Sequence, residues 1–298
     1  MGGKTTLFFL IKVTNILVAL SLNEKYEVLL AYACWFYRII DNNSRINLIS
    51  VADYSLTPPA YLMPYLEKEH EINRKLLSKI VDDLKRHNID STYKLITGRL
   101  IESFQKAICD LKIDYIILGH RSHLVKASSS EKMIRTLNIP MLVVRGAKSE
   151  GVNLANLKVN NILCITDFSE NSLRALKLIE RLFSGKDINL TILNVLSKAR
   201  IDNLFNKANI EENKNQFCEK LIADRYNNLE SLKIEEINTK LLCRMGIPYK
   251  VINETAIESN ADIIFMGARG ITSIEGVKLG SVSKAIIKTS PCPVMLVT

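Results

Sequence analysis

The chain has 298 residues, which leaves room for two domains at roughly 100–200 residues each. Hydrophobic residues make up 47% and charged residues 24%, the proportions of an ordinary soluble globular protein. The formal net charge is +9, but Lys and Arg are scattered rather than gathered in a stripe, so no nucleic-acid partner is expected.

The N-terminal "MGGKTTLF" has the close of a phosphate-binding P-loop but neither its first glycine nor a strand before it, so the backbone cradle cannot be built. In "LFFLIKVTNILVAL" Lys12 and Asn15 interrupt the apolar run, and no small-residue cleavage site follows. Neither a membrane span nor a secretory leader is expected, and the chain reads as cytoplasmic. Six cysteines without a CxxC pair agree, as reduced thiols mostly set in apolar runs. His120 and His123 lack further ligands at metal spacing, which sets a zinc site aside.

Beyond this point the chain repeats itself. "NILVALSLNE" (15–24) matches "NILCITDFSE" (161–170), and "INLISV" (46–51) matches "INLTILNV" (188–195) with two extra residues. "DYIILGHRS" (114–122) matches "DIIFMGARG" (262–270), and "IRTLNIPMLVV" matches "IKTSPCPVMLV". Matched segments in one order imply an internal duplication. The polar stretch from Arg145 to Lys158, with two glycines and no apolar period, reads as the linker. It divides the chain into domains at 1–147 and 158–298.

Each half alternates two patterns. Short Ile/Val/Leu runs such as "NILCIT", "LTILNVL", "DIIFMG" and "PVMLVT" lack polar alternation, the habit of strands buried on both faces of a parallel sheet. "EINRKLLSKIVDDLKRH" (71–87) places Ile72, Leu76, Ile80 and Leu84 at helical spacing. "SENSLRALKLIERLF" (169–183) does the same with Leu173, Leu176, Ile179 or Glu180, and Phe183, and Ser169 is its expected N-cap. "FQKAICDLK" and "YKVINETAIESN" precede the fourth strand of each half, and helical insertions follow the second strand, at 58–87 and 201–229. Alternating strands and helices predict an α/β fold: two tandem doubly wound sheets.

In such sheets a ligand sits beyond the carboxyl ends of the strands. Gly267 follows the strand residue Met266 and lies on that rim, where glycine permits close backbone approach. Gly280 and Ser281 begin the helix "VSKAIIKT", whose unpaired amides make a phosphate seat. Ser281 and Ser283 are candidate hydroxyl donors, and Val282 shares the turn with them. Thr166 and Asp167 end the first strand of this half across the crevice. The carboxylate of Asp167 suits ribose hydroxyls or a magnesium ion. The backbone of Val195, at the end of the second strand, suits a base edge.

Gly267, Gly270, Gly280 and Ser281 form the pattern G-x2-G-x9-G-[ST], which resembles the ATP-binding signature of the universal stress protein family. "ITDFSENSLRALKL" resembles that family's first strand and helix, and "SPCPVMLV" its last strand. The resemblance spans essentially the whole chain as a tandem pair. It implies five-stranded parallel sheets of order 3-2-1-4-5 and a nucleotide surrounded by Asp167, Val195, Gly267, Gly270, Gly280, Ser281, Val282 and Ser283. It implies ATP, with or without magnesium, and pairing through the last strands, Met141–Val144 and Val294–Val297, within one chain or in a homodimer. It also leaves room for an unidentified protein partner, because the family is not defined by a reaction and some members bind no ATP. A slow ATPase is a further alternative, but no P-loop lysine, arginine finger or water-positioning base can be named for it. Arg269, between two loop glycines, is expected to be solvated.

The first half departs from the pattern. Gly119 matches Gly267, but Ser122 replaces Gly270, Ala127 falls opposite Gly280, Ser21 replaces Asp167, and the loop is about five residues shorter in this alignment. "SSSE" (128–131) reads as a capping box in which Ser128 and Glu131 satisfy the helix start themselves. A degenerate first site is the expectation.

Overall fold

A computed structural model describes residues 13–22, 26–40, 43–52, 63–119, 129–145, 157–207, 213–270 and 279–298. The first half runs β1 (Thr14–Ala19), α1 (Glu27–Ile40), β2 (Ser44–Ala52), α2 (Met63–Arg86), β3 (Ser91–Thr97), α3 (Leu100–Asp110), β4 (Tyr115–Gly119), α4 (Ser129–Thr136) and β5 (Met141–Val144). The second runs β6 (Asn161–Ile165), α5 (Glu170–Phe183), β7 (Asn189–Ser197), α6 (Lys198–Lys207), α7 (Lys214–Glu230), β8 (Asn238–Gly246), α8 (Pro248–Glu258), β9 (Ile263–Gly267), α9 (Ser281–Thr289) and β10 (Val294–Val297). The N-terminal "MGGKTTLF" lies outside the described residues, and the adjoining apolar run supplies β1. Among the described residues no helix is long and apolar enough to cross a membrane.

All the described strands join one ten-stranded sheet in the order β3-β2-β1-β4-β5-β10-β9-β6-β7-β8. Each half therefore has the order 3-2-1-4-5, parallel throughout. The halves meet where β5 and β10 pair antiparallel, with Val294 opposite Val143, Met295 opposite Leu142 and Leu296 opposite Met141. The last strands are apolar on both faces, and pairing them inside one chain removes two exposed edges. The register is centred on Leu142 and Met295, so a pseudo-twofold axis passes between the halves.

Successive strand residues feed opposite faces, which gives two cores. Ile16, Val18, Ile162, Cys164 and Met295 pack on one face with α1, α2 and α5. Leu17, Leu163, Val294 and Leu296 pack on the other with α3, α4, α8 and α9. Aromatic rings knit the halves on the first face. Trp35 of α1 lies 6.3 Å from Phe183 of α5, and Arg181 of α5 donates to the hydroxyl of Tyr115, which Phe36 of the same first half meets edge-on.

A matched staple holds the opposite rim. Asp114 Oδ2 accepts from the Asn15 N–H at 3.0 Å, and Asp262 Oδ2 accepts from the Asn160 and Asn161 N–H groups at 2.9 Å. α5 starts as its sequence dictates, with Ser169 Oγ accepting from the Ser172 N–H, and Ile179 rather than Glu180 faces the core. α2 extends further toward its N-terminus than the apolar period marks. Its buried stripe is Leu77, Ile80, Val81 and Leu84, while Ile72 lies beyond the sheet and is 57% exposed.

Candidate functional site

At the carboxyl rim of the second half, β6 stops at Ile165 while β7 continues to Ser197. The Thr166 N–H donates to Leu193 O at 2.9 Å, the last rung between them. Val195 is two residues further on, so its main-chain groups point to the same side as those of Leu193, over a strand that has ended. The Phe168 N–H, which would extend the ladder, turns instead to Thr166 Oγ1 at 3.0 Å. Val195 thus stands before the end of its strand, not at it.

The turn from β6 into α5 is tightly tied. Thr166 Oγ1 also lies 3.1 Å from Ser172 Oγ, Asn194 Nδ2 donates to Thr166 O at 2.7 Å, and Asp167 Oδ1 accepts from the Ser169 N–H at 3.1 Å. Phe168 adopts φ +63°, a left-handed conformation uncommon for a bulky residue, with the Arg225 guanidinium 5.5 Å from its ring. The buried Thr166 is thus occupied in holding this turn, and Asp167 is fixed at the crevice rather than swinging in solvent.

The glycines differ in what they do. A Cβ on Gly267 would stand 2.9 Å from both Asn171 Cβ and Ser172 N, so the end of β9 presses directly on the first turn of α5. A Cβ on Gly270 would meet Asp167 Oδ2 at 2.2 Å, so the loop backbone lies against the carboxylate. At Gly280 a Cβ would find nothing among the described residues nearer than Ala268 O at 3.5 Å, and φ −68°, ψ 156° suits any residue. Among the described residues, neither packing nor backbone geometry requires glycine there. Gly280 is the N-cap of α9 and has no side chain to cap it. The first intrahelical bond is Lys284 N–H to Gly280 O at 2.9 Å, so the amides of Ser281, Val282 and Ser283 precede the ladder.

Two expectations change. The Ser283 hydroxyl is buried and donates to Gly267 O at 3.0 Å, pinning α9 to the end of β9; this leaves Ser283 its amide rather than a hydroxyl for a ligand. Arg269 is not simply solvated: its Nη2 reaches Asn138 Oδ1 of the first half at 3.5 Å, and its Nε is buried without a hydrogen-bond partner. The remaining candidates gather on one rim: Met266 buried at the end of β9, Val282 half-buried, Ser281 exposed. Among the described residues no cluster of three or more His, Cys, Asp or Glu could hold a metal, so magnesium at Asp167 would bring its other ligands with it.

Asn194 was not foreseen. The signal was a polar residue inside the apolar "LTILNVL", opposite Ser50 of "INLISV" in the repeat. The capping residue Ser128, together with Ser122 and Ala127, lies outside the described residues. Ser21 is described and exposed.

The chain is similar to several known proteins. The universal stress protein MJ0577 of Methanocaldococcus jannaschii is 31% identical over 150 residues, covering 46% of this chain and 93% of that protein. The crystal structure of a universal stress protein from Archaeoglobus fulgidus covers 95% of this chain and 98% of its own at 21% identity, with a TM-score of 0.69. A universal stress protein solved in complex with cAMP covers 48% of this chain and 98% of its own at 22% identity, with a TM-score of 0.32. The family model described as the universal stress protein family matches twice, at residues 12–145 and 158–298, and the chain belongs to that family as a tandem of two copies.

Proposed function

We propose that the second half binds an adenine nucleotide, ATP in the first instance, and that the chain acts as a nucleotide-dependent regulatory protein in the stress response. The observation that carries this is the N-terminus of α9. Gly280 caps the helix with no side chain, in a conformation that needs no glycine and, among the described residues, with space for a Cβ. What the glycine does supply is unscreened access to the amides of Ser281, Val282 and Ser283 and the positive end of a helix dipole. Gly270 brings the loop backbone against Asp167 across the crevice, and Gly267 lets the end of β9 sit on the first turn of α5.

In this reading the phosphates lie against the α9 amides, joined by the Ser281 hydroxyl. Asp167 receives the ribose hydroxyls or a magnesium carried by the nucleotide. The main chain of Val195 meets the base edge, and Thr166 and Met266 form the crevice floor. No catalytic residue is assigned.

Equilibrium binding of ATP to the wild type and to Gly280→Val tests the reading. The variant keeps a backbone conformation open to valine, while its branched side chain covers the amides. Charge-assisted hydrogen bonds of about 1.5–3 kcal/mol each are at stake, so affinity falls roughly tenfold or more. Equal affinity rejects the cradle. A wild-type melting curve unmoved by ATP in large excess favours a protein of this fold that works by contact with a partner, since ligand at 100 times Kd stabilises by about 2.7 kcal/mol.

A further inference from the structure

The seam between α4 and α9 is geometrically symmetric and electrostatically lopsided. Because β5 and β10 pair antiparallel, the start of each helix lies beside the end of the other. At one end Glu131, in the first turn of α4, pairs with Lys288, in the last turn of α9, at 2.8 Å. In the repeat alignment Glu131 corresponds to Lys284 and Lys288 to Arg135. The same contact at the other end therefore sets two cations against each other.

Both line one open groove together with Glu131, Ile134, Leu279 and Ile287. Leu279 immediately precedes Gly280, so the groove opens beside the amides of α9. Lys284, in the first turn and a half of α9, leans back toward that helix start as helical side chains do. Arg269 reaches this end of the seam as well, through Asn138, with its Nε buried and unpartnered. Among the described residues no carboxylate pairs with Arg135, Lys284 or Arg269. Three cations from both halves thus gather near the positive end of a helix.

We propose that this end of the seam binds the outer phosphates of the nucleotide, with Arg135 of the first half and Lys284 as their ligands. The inference rests on nucleotide binding in the second half and extends it. The site is completed across the seam, and the first half contributes to affinity for a triphosphate although its own crevice is degenerate.

The experiment measures the affinities of AMP, ATP and inorganic tripolyphosphate for the full-length wild type, Arg135→Gln, Arg135→Lys and Lys284→Gln. Arg135 is exposed, so its replacement leaves the core intact. Arg135→Gln is expected to weaken ATP about three- to tenfold while leaving AMP unchanged, the size of one exposed charge-assisted contact to phosphate. Arg135→Lys retains most of the ATP affinity, and Lys284→Gln behaves like Arg135→Gln. Tripolyphosphate competing with ATP but not with AMP supports a phosphate subsite separate from the nucleoside. An unchanged ATP to AMP ratio in Arg135→Gln overturns the inference while leaving nucleotide binding intact. A wild type that binds neither AMP nor ATP removes both.

Discussion

The two crevices share a backbone and differ in side chains. The Leu20 N–H donates to Ile49 O at 2.9 Å, just as the Thr166 N–H donates to Leu193 O at 2.9 Å. Around that common rung, Leu20 stands for Thr166, the exposed Ser21 for the braced Asp167, and Ser50 for Asn194. The turn that Thr166 ties to Phe168 and Ser172 by its hydroxyl cannot be tied that way by a leucine. A Cβ on Gly119 meets nothing described within 4 Å, whereas one on Gly267 collides with α5; residue 25, which matches Asn171 in the repeat, lies outside the described residues. Apolar period and strand order are enough to keep a fold, while the polar atoms that tie the turn after β6 have no counterpart in Leu20 and Ser21.

The comparison breaks most severely if its hinge is removed. Val294–Val297 are 0–5% exposed and pair with β9 on one side and β5 on the other. Deleting residues 294–298 gives up four buried side chains at about 1.5–3 kcal/mol each, a sum on the order of a domain's whole stability. The expected product aggregates or unfolds, as followed by gel filtration and circular dichroism. A soluble, folded monomer would show that the halves do not depend on their shared strand pair.

A milder pair of variants sharpens the contrast between the crevices. Gly267→Ala forces a Cβ to 2.9 Å from a backbone nitrogen and is expected to destabilise by roughly 1–3 kcal/mol in denaturant titration. Gly119→Ala, at the matching position, should stay within about 0.5 kcal/mol. Equal costs at both positions would mean that the first crevice is as closely packed as the second.

Much of this was legible from residues alone. Apolar runs without polar alternation gave the parallel strands, Ser169 announced its helix, and the repeat gave the tandem. The edge strands β3 and β8 were less visible, because one side of each is solvated and Ser91–Thr97 and Asn238–Gly246 mix polar with apolar residues. Gly280 was legible as a bare helix start, but the different reasons for Gly267 and Gly270 were not, since they depend on what an absent Cβ would strike. Ser283 was read as a ligand donor because a hydroxyl in a motif looks available; only its bond to Gly267 O shows that it faces inward. Arg269 and Arg135 escaped because their neighbours come from the other half of the chain, about 130 residues or more away in sequence.

The smallest expected effect concerns a core position at which the halves diverge. Val18 and Cys164 occupy matching places in β1 and β6, and both are fully buried. Burial pushes the Cys164 thiol up from 9.0 to about 12, and it pushes Cys34 up to about 11. Between pH 9 and these values the native thiols keep their protons while the unfolded ones ionise. The unfolded state then binds fewer protons, and stability falls as pH rises through that window; below pH 9 both states are protonated and these thiols add no slope. Cys164→Val copies the first half into the second and removes the Cys164 contribution. Denaturant titrations at pH 8 and pH 10 should therefore show a smaller alkaline loss for Cys164→Val than for the wild type. Identical losses would mean that the β6 core admits water where the β1 core does not, and that Cys164 ionises in place.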